Sequence, residues 1–539
     1  MHWNRMIAVA FILLLQACKT THSSVSAQTG CQDAGLLERV LSLVDPEAVP
    51  PDRRTCILQT FQQELDREKA TTQDKAVHDR FDFAELQQSS SQLQGYLYTK
   101  DNIFDRKTYI KGPDNFQAHR RLIGQAQEEV LFQTYVWESK SDSAKEIMKG
   151  LQDLEQNRKK FCPDCRPVVV RIVANFGPTA LDVIGAMTKG ERVVDYGADA
   201  RNAINALGLD PKVLDIQVLT YTHKAFGTNH VKSMVIDGQM AMITGANAQR
   251  FNDVDVNWYD VGYMMGGAVA RGLRYDLINN LIRASSGTEK DANTKLADGL
   301  GTPYNKVFNT IYPIEKMMAD PFQDKAGVPV VITSRNGNGI PSQSNNNSQN
   351  RAFQAIMQGA QRNIRIQTPN FNDDAAVRSL GAAVKRGVKL EMINSKLFNC
   401  QSENQVGQGG QNERGILRLV KEIGAPTPQG PKHELRWFAM MKDGQPTRVV
   451  DNTKGKNPEE RPNNSHAKFM SVDDAVVVVG SANMDTQSWN QSRELNVLVF
   501  HPEVVRGWQE QVFTTNFAIA VPVTADEIRD ESISCDMTF

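Results

Sequence analysis

His230-Val-Lys232-Ser-Met-Val-Ile-Asp237 and His466-Ala-Lys468-Phe-Met-Ser-Val-Asp473 are the stretches on which the reading of this chain turns. Both have the form H-x-K-x-x-x-x-D. With nine His in the chain and Lys and Asp at ordinary frequencies, about 0.02 such matches are expected by chance. Each stretch runs on into an apolar segment and then a Gly/Asn turn, Gly245-Ala-Asn247 in one case and Gly480-Ser-Ala-Asn483 in the other. On an extended strand, side chains two residues apart point to the same face, so each Lys shares a face with its His.

The surroundings repeat as well. Val130-Leu-Phe-Gln-Thr-Tyr-Val136 reads as a buried strand, Ser143 to Leu154 as an amphipathic helix and Val168 to Val173 as the next strand. Asn363 to Thr368, Ala375 to Arg386 and Val388 to Ile393 return in the same order, with Gln133-Thr134 matched by Gln367-Thr368. Strand and helix in alternation predict an α/β fold, and the recurrence predicts an internal duplication. The sheets are expected to be mixed, mostly parallel and flanked by helices. Between the halves, residues 268–318 read as helical. The polar run Ser342 to Asn350 and the Gln/Asn/Gly-rich stretch Asn399 to Gly415 read as surface loops.

The chain has 539 residues, with 61 Lys+Arg against 62 Asp+Glu, 40% hydrophobic and 23% charged. That balance excludes disorder, collagen and a multi-span membrane protein as readings of the whole. Near-neutral charge also argues against a nucleic-acid binder. Ile7 to Leu15 is an unbroken apolar run after Arg5, too short to span a bilayer and suited to a signal core. Leu15-Gln16-Ala17-Cys18 is similar to a bacterial lipobox, which would make Cys18 the lipidated mature N-terminus; cleavage after Ala17 without lipidation is the alternative. Either way the chain is expected to be exported, to a lipid-anchored position at the periplasmic or outer membrane surface, or otherwise free in the periplasm or secreted.

The remaining cysteines are Cys31, Cys56, Cys162, Cys165, Cys400 and Cys535, an even set that suggests disulfides. Cys162-Pro-Asp-Cys165 reads as a local bridge between a helix and a strand. The expected organisation is a signal peptide at 1–17, a tether and N-terminal helical cap at 18–104 (its helices over ~31–95), a first half at 105–325, a second half at 326–525 and a tail at 526–539.

Phosphodiester cleavage needs a nucleophile, a proton donor for the leaving oxygen and positive charge on the developing anion. Two His can divide the first two tasks and two Lys can supply the third. Asn247 and Asn483 can donate further hydrogen bonds from their turns. A carboxylate on the second ring nitrogen would hold each His in the right tautomer. No cofactor and no metal are expected, because the lysines carry the charge. His78, His119, His223 and His433 lack this context and read as ordinary core or surface residues. Arg362 and Arg365 read as a solvated helix end and strand edge.

This constellation resembles the phospholipase D superfamily, in which two HKD motifs build one shared active site. The likeness extends over about residues 105–520 and is fullest in the second half, through Val479-Gly-Ser-Ala-Asn-Met-Asp485, Ser488 and Glu494. There it is most similar to the cardiolipin synthase and bacterial phospholipase branch. Trp258-Tyr-Asp260 and Gly266-Gly267 fit the first half.

The resemblance implies a duplicated phospholipase D-like fold, with His230 as nucleophile forming a phosphohistidine and His466 as acid and then base, an assignment that could be reversed. Lys232 and Lys468 would hold the phosphate, and Asp260 and Glu494 would orient the histidines. Asn247, Asn483, Gly245 and Ser481 would contact substrate, while Asp237 and Asp473 would be structural. The implied function is hydrolysis or transfer of phosphatidyl groups on phospholipid at a membrane surface, by a chain that needs no second copy. A superfamily nuclease and a non-catalytic surface binding protein are the alternatives.

Overall fold

The computed structural model describes residues 96–98, 102–176, 195–221, 227–284, 314–335, 337, 347–404, 407–424, 432–450 and 464–529. The expected signal peptide, Cys18, Cys31, Cys56, Cys535, His78, His223 and the cap helices lie outside them.

The first half contributes β2 (Asn102–Ile110), β3 (Glu129–Thr134), β4 (Val168–Asn175), β5 (Leu214–Tyr221), β6 (Ser233–Ile236), β7 (Met240–Thr244), β8 (Val261–Gly267) and β9 (Pro321–Phe322) to one sheet, in the order β5-β4-β3-β6-β7-β8-β2-β9. The second sheet joins β1 (Tyr96–Tyr98) to β10 (Val330–Arg335), β11 (Asn363–Thr368), β12 (Lys389–Asn394), β13 (His433–Trp437), β16 (Phe469–Val472), β17 (Val476–Gly480), β18 (Glu494–Val499) and β19 (Val521–Pro522). Its order, β1-β10-β18-β17-β16-β11-β12-β13-β19, contains the first sheet's order from β5 to β2 read in reverse. The duplication inferred from the motifs is therefore a duplication of topology. A separate hairpin, β14 (Ala439–Lys442) and β15 (Gln445–Arg448), follows β13.

The sheets are mixed, but parallel pairing is less extensive than the strand–helix alternation suggested. It links only β3, β4 and β5 in one sheet and β11, β12 and β13 in the other. The motif strands enter antiparallel, β6 against β3 and β16 against β11. The reason is local. Short turns such as Asp237–Gln239 return the chain directly from β6 to β7, and only the helical crossovers earlier in each half produce parallel neighbours.

The two sheets meet across one apolar core. Leu131, Val235 and Ile243 from the first half share it with Val477, Val479 and Val497 from the second. β-branched side chains buried on both faces suit strands covered on each side. The helices Lys111–Gly124 and Asp142–Phe161 cover the outer face of the first sheet through Phe116, Leu122, Ile147, Leu151 and Leu154. Asp142–Phe161 begins where Ser141 accepts a hydrogen bond from the Ala144 N–H. It ends at a Cys162–Cys165 disulfide, the local bridge expected there.

Three expectations change. Ser348–Gly359 is a helix capped by Asn347, so the end of the polar run is a helix start and not a loop. The stretch Asn399 to Gly415 is no surface loop in its described part. Cys400–Glu403 is helical, the helix Asn412–Ile423 begins within it, and Glu403, Gln408, Gln411, Asn412 and Glu413 are buried. Asn412 is held there because its amide donates to the carbonyls of Pro369 and Ser395 at the ends of the neighbouring strands. Arg365 is not a solvated strand edge either: it is 20% exposed and ion-paired to Glu391 at 2.9 Å and to Asp474. Arg362 is tied to the backbone around Asp473. His119, by contrast, is a core residue as expected, buried against Phe116 and Phe132 and pushed down to about 4 by burial.

Candidate active site

The two motif aspartates act at the far end of their strands from the histidines. Asp237 accepts the backbone N–H groups of Gln127, Glu128 and Glu129 at 2.7–2.9 Å. Asp473 accepts those of Gln361, Arg362 and Asn363 in the same range, at 2.7 and 2.9 Å. Each fastens the start of the neighbouring strand, β3 or β11, which agrees with a structural role. Burial pushes Asp237 up to about 7 even so.

The other end of the motif strands is where the halves join. Asn229 bridges to Arg493, and Tyr259 bridges to Ser465. The His230 N–H donates to the Arg493 carbonyl at 3.0 Å, and the His466 N–H donates to the Tyr259 carbonyl at 2.9 Å. Each histidine is thereby laid beside the carboxylate of the opposite half. His230 Nδ1 lies 3.0 Å from Glu494 Oε1, and His466 Nδ1 lies 3.0 Å from Asp260 Oδ2. The carboxylates were expected to orient the histidines, and the structure brings all four together. They are exchanged between the halves, so neither half completes its own dyad.

The electrostatics follow from the geometry. Burial would raise Asp260, but His466, Lys468 and Asn252 outweigh it and hold the carboxyl below its ordinary value. Burial is likewise outweighed at Glu494 by His230, Lys232 and Ser481. Two buried carboxylates therefore stay ionised on the Nδ1 side, which leaves Nε2 of each ring for chemistry. Burial lowers both histidines, His466 to about 3, despite their carboxylates.

Lys232 and Lys468 are nearly fully buried, and each ammonium donates to the carbonyl of its own motif histidine, at 2.6 and 2.7 Å. Burial lowers both lysines, and Lys232 is lowered further by the positive charge of Lys468. Lys468 comes down to about 8. Two desolvated cations close enough to repel one another are an anion site in waiting.

Gly245 and Ser481 face the carboxylates. A Cβ on Gly245 would stand 2.2 Å from Asp260 Oδ1, so glycine is what allows the short carboxylate to sit there. At the matching place in the second half the Ser481 hydroxyl donates to Glu494. Each therefore positions a carboxylate.

Several residues were missed. Asn252 donates to Asp260 at 3.0 Å. Trp258 and Phe398 lie against His466, with ring centroids 5.4 and 5.6 Å away, and Phe251 stacks on Trp258. Tyr135 lies against His230. Asp485 is buried near the lysines and Glu403 is buried near Asp485, and burial raises both. The signal for Asn252 was available, since it stands where Ser488 does in the repeat. Nothing in the sequence pointed to Phe398 or Glu403. Among the described residues no group of three or more His, Cys, Asp or Glu could hold a metal ion.

Residues 353–514 match the family model described as cardiolipin synthase, PLD-like domain. Those residues therefore carry a phospholipase D-like domain. No curated protein sequence matches it. Among solved structures it is similar to a phosphatidylserine synthase from Haemophilus influenzae, at 12% identity and TM-score 0.52, over 83% of this chain and 93% of that one. This likeness shows the fold.

Two shorter structures also align. NucT from Helicobacter pylori does so at 14% identity and TM-score 0.23, over 32% of this chain and 89% of its own. A phospholipase D family member, Nuc from Salmonella typhimurium, does so at 14% identity and TM-score 0.25, over 36% and 98%. Among the described residues no helix is long and apolar enough to cross a membrane.

Proposed function

We propose that this protein cleaves phospholipid phosphodiesters and passes the phosphatidyl group to water or an alcohol through a phosphohistidine. The observation that carries the reading is the exchanged pair of dyads, His230–Glu494 and His466–Asp260, set around two buried lysines. With Nδ1–H held by Glu494, His230 Nε2 attacks phosphorus. The bond from phosphorus to the head-group oxygen breaks, and His466, charged as an imidazolium between Asp260 and the bound phosphate anion, gives that oxygen its Nε2 proton. In the second step the acceptor O–H passes its proton to His466, its oxygen attacks phosphorus and the bond to His230 breaks. Lys232 and Lys468 neutralise the non-bridging oxygens in both steps, and no step calls for a metal or cofactor.

Phospholipid is favoured over nucleic acid as substrate for three reasons. The matched family is named for cardiolipin synthase. The chain carries charge close to zero. Lipidation of Cys18 after an export signal at 1–17 would hold the enzyme at a periplasmic or outer membrane surface, where effective concentration favours lipid. Both motifs lie in one chain, so a monomer suffices.

The test is full-length protein on vesicles of mixed bacterial phospholipids, with products read by mass spectrometry and supercoiled DNA supplied in parallel. Phosphatidic acid marks hydrolysis, and cardiolipin or a phosphatidyl alcohol marks transfer. Nicked DNA with untouched lipid would replace this reading by the nuclease one. Neither product from folded protein would leave a binding protein.

A further inference from the structure

Asn247 and Asn483 occupy equivalent places but present opposite ends of their amides. The Asn247 N–H donates to Asn252 Oδ1 at 3.2 Å, and the Asn483 N–H donates to Ser488 Oγ at 3.1 Å. The residue after each bridges to the segment following β3 or β11, Ala248 to Trp137 and Met484 to Phe371. Side-chain orientation breaks the match. Asn247 Oδ1 accepts the Val136 N–H at 3.3 Å, so its Nδ2 is the end left for a ligand. Asn483 Nδ2 instead donates to Asp485 Oδ2 at 2.9 Å.

Asp485 Oδ1 already accepts the Ser488 N–H and its Oδ2 meets the Asn483 amide beside Lys232 and Lys468, which turns the donor end of Asn483 to the carboxylate. Among the described residues Asn483 Oδ1 is left buried with no donor, on a residue that is 6% exposed. Asp485 is the cause of the difference, because Gln249 stands in its place in the first half. Asp485 is held in turn as the cap of the helix Thr486–Asn490, its Oδ1 accepting the Ser488 N–H at 2.7 Å.

A buried carbonyl without a donor calls for a ligand hydrogen. Phosphoryl oxygens cannot supply one, and the reacting hydroxyl has already given its proton to His466. We infer that Asn483 Oδ1 receives a second O–H of the incoming acceptor, so that the site selects water or an alcohol with a neighbouring hydroxyl over a monohydric alcohol. Asn247 Nδ2 holds a non-bridging phosphoryl oxygen in the same complex. The inference rests on the phosphatidyl-transfer reading above and adds to it a specificity for the acceptor.

Ethylene glycol and ethanol, matched in size and differing by one hydroxyl, are the probes. With both present at equal concentration over phospholipid vesicles, the wild type is expected to favour the phosphatidyl glycol by about tenfold or more, as sites built to bind a hydroxyl do. Asn483→Leu should bring the product ratio close to one. Asp485→Asn, which still caps its helix, should move the ratio the same way by freeing Asn483 to turn. Asn247→Leu should slow head-group release while keeping the preference.

Thermal melting of each variant separates misfolding from altered choice, and the product ratio is independent of the amount of active protein. No preference in the wild type, or a preference kept in both Asn483→Leu and Asp485→Asn, overturns the inference while leaving phosphatidyl transfer standing. A wild type that releases no head group overturns the transfer reading and this inference together.

Discussion

The two dyads reach the same geometry with different parts. Around His466 the carboxylate is the short Asp260, seated against the bare Cα of Gly245 and held by the long amide of Asn252. Around His230 it is the longer Glu494, held by the hydroxyl of Ser481, while Ser488 takes the place of Asn252. Carboxylate length and supporting side chains change together, so a one-atom difference at the acid is absorbed without moving the imidazole. The surroundings then diverge. His466 is enclosed by Trp258 and Phe398, whereas His230 has Tyr135 on one side and the charge of Asp485 nearby. Topology was duplicated whole, and in the proposed reaction the division of roles follows what packs against each copy.

The largest test of that division removes the imidazoles. His230→Ala and His466→Ala should each lower kcat by about 10³-fold or more, as loss of a nucleophile or its proton partner does. Only the His466 variant should accumulate phosphoenzyme, detectable by mass spectrometry of the peptide carrying His230. Phosphate found on His466 in the reciprocal variant would exchange the two roles.

Next come the carboxylates, where the exchange between halves makes a prediction that sequence proximity would reverse. Glu494→Gln should slow chiefly formation of the phosphoenzyme, whereas Asp260→Asn should slow both its formation and its breakdown, each by about 10²-fold or more. Rapid-quench measurement of the two steps would show the opposite assignment if each acid served the histidine of its own half.

Gly245→Ser copies the second half into the first and drives a Cβ into Asp260, because that atom would stand 2.2 Å from Oδ1. Relieving such a clash displaces the carboxylate by about 1 Å, which is expected to cost about 10²-fold in kcat. Adding Asn252→Ser and Asp260→Glu to complete the copy should recover much of the loss, and a triple variant worse than the single would show that the parts do not compensate.

A smaller effect concerns charge. Lys468 is lowered to about 8 by burial, so an activity that needs its cation should fall as pH rises through about 8. The sign for stability is the opposite. The unfolded chain binds the proton more tightly than the folded one, so Lys468 weakens the fold below that pH, and the penalty fades as pH climbs towards 10.5. Lys468→Met should abolish turnover yet melt no lower than wild type at pH 7, which calorimetry would check.

Much of this was legible in the chain. His230, Lys232, His466 and Lys468 stand out because strand periodicity and a shared spacing are local properties, and local properties survive in sequence. The matching strands and helices of the halves are visible for the same reason, whereas the structural part of Asp237 and Asp473 came only from the family resemblance. The buried course of Asn399 to Gly415 was not legible. Its Gln, Asn and Gly content is that of a surface loop, and only the strand-end carbonyls of Pro369 and Ser395, waiting for the Asn412 amide, explain why it lies inside.

Pairing across the halves belongs to the tertiary structure alone. Asp260 and Glu494 were recognisable as the carboxylates, but His230 meets Glu494 across 264 residues and His466 meets Asp260 across 206. Which acid serves which histidine depends on how two similar sheets face one another, and two like halves carry no local mark of that choice. The same holds for Asn483, whose identity the sequence displays but whose amide is turned by Asp485. Spacing along a strand determines which groups the site contains. Contacts between distant strands decide which way each group points, because hydrogen-bond direction is settled only when donors and acceptors meet in space.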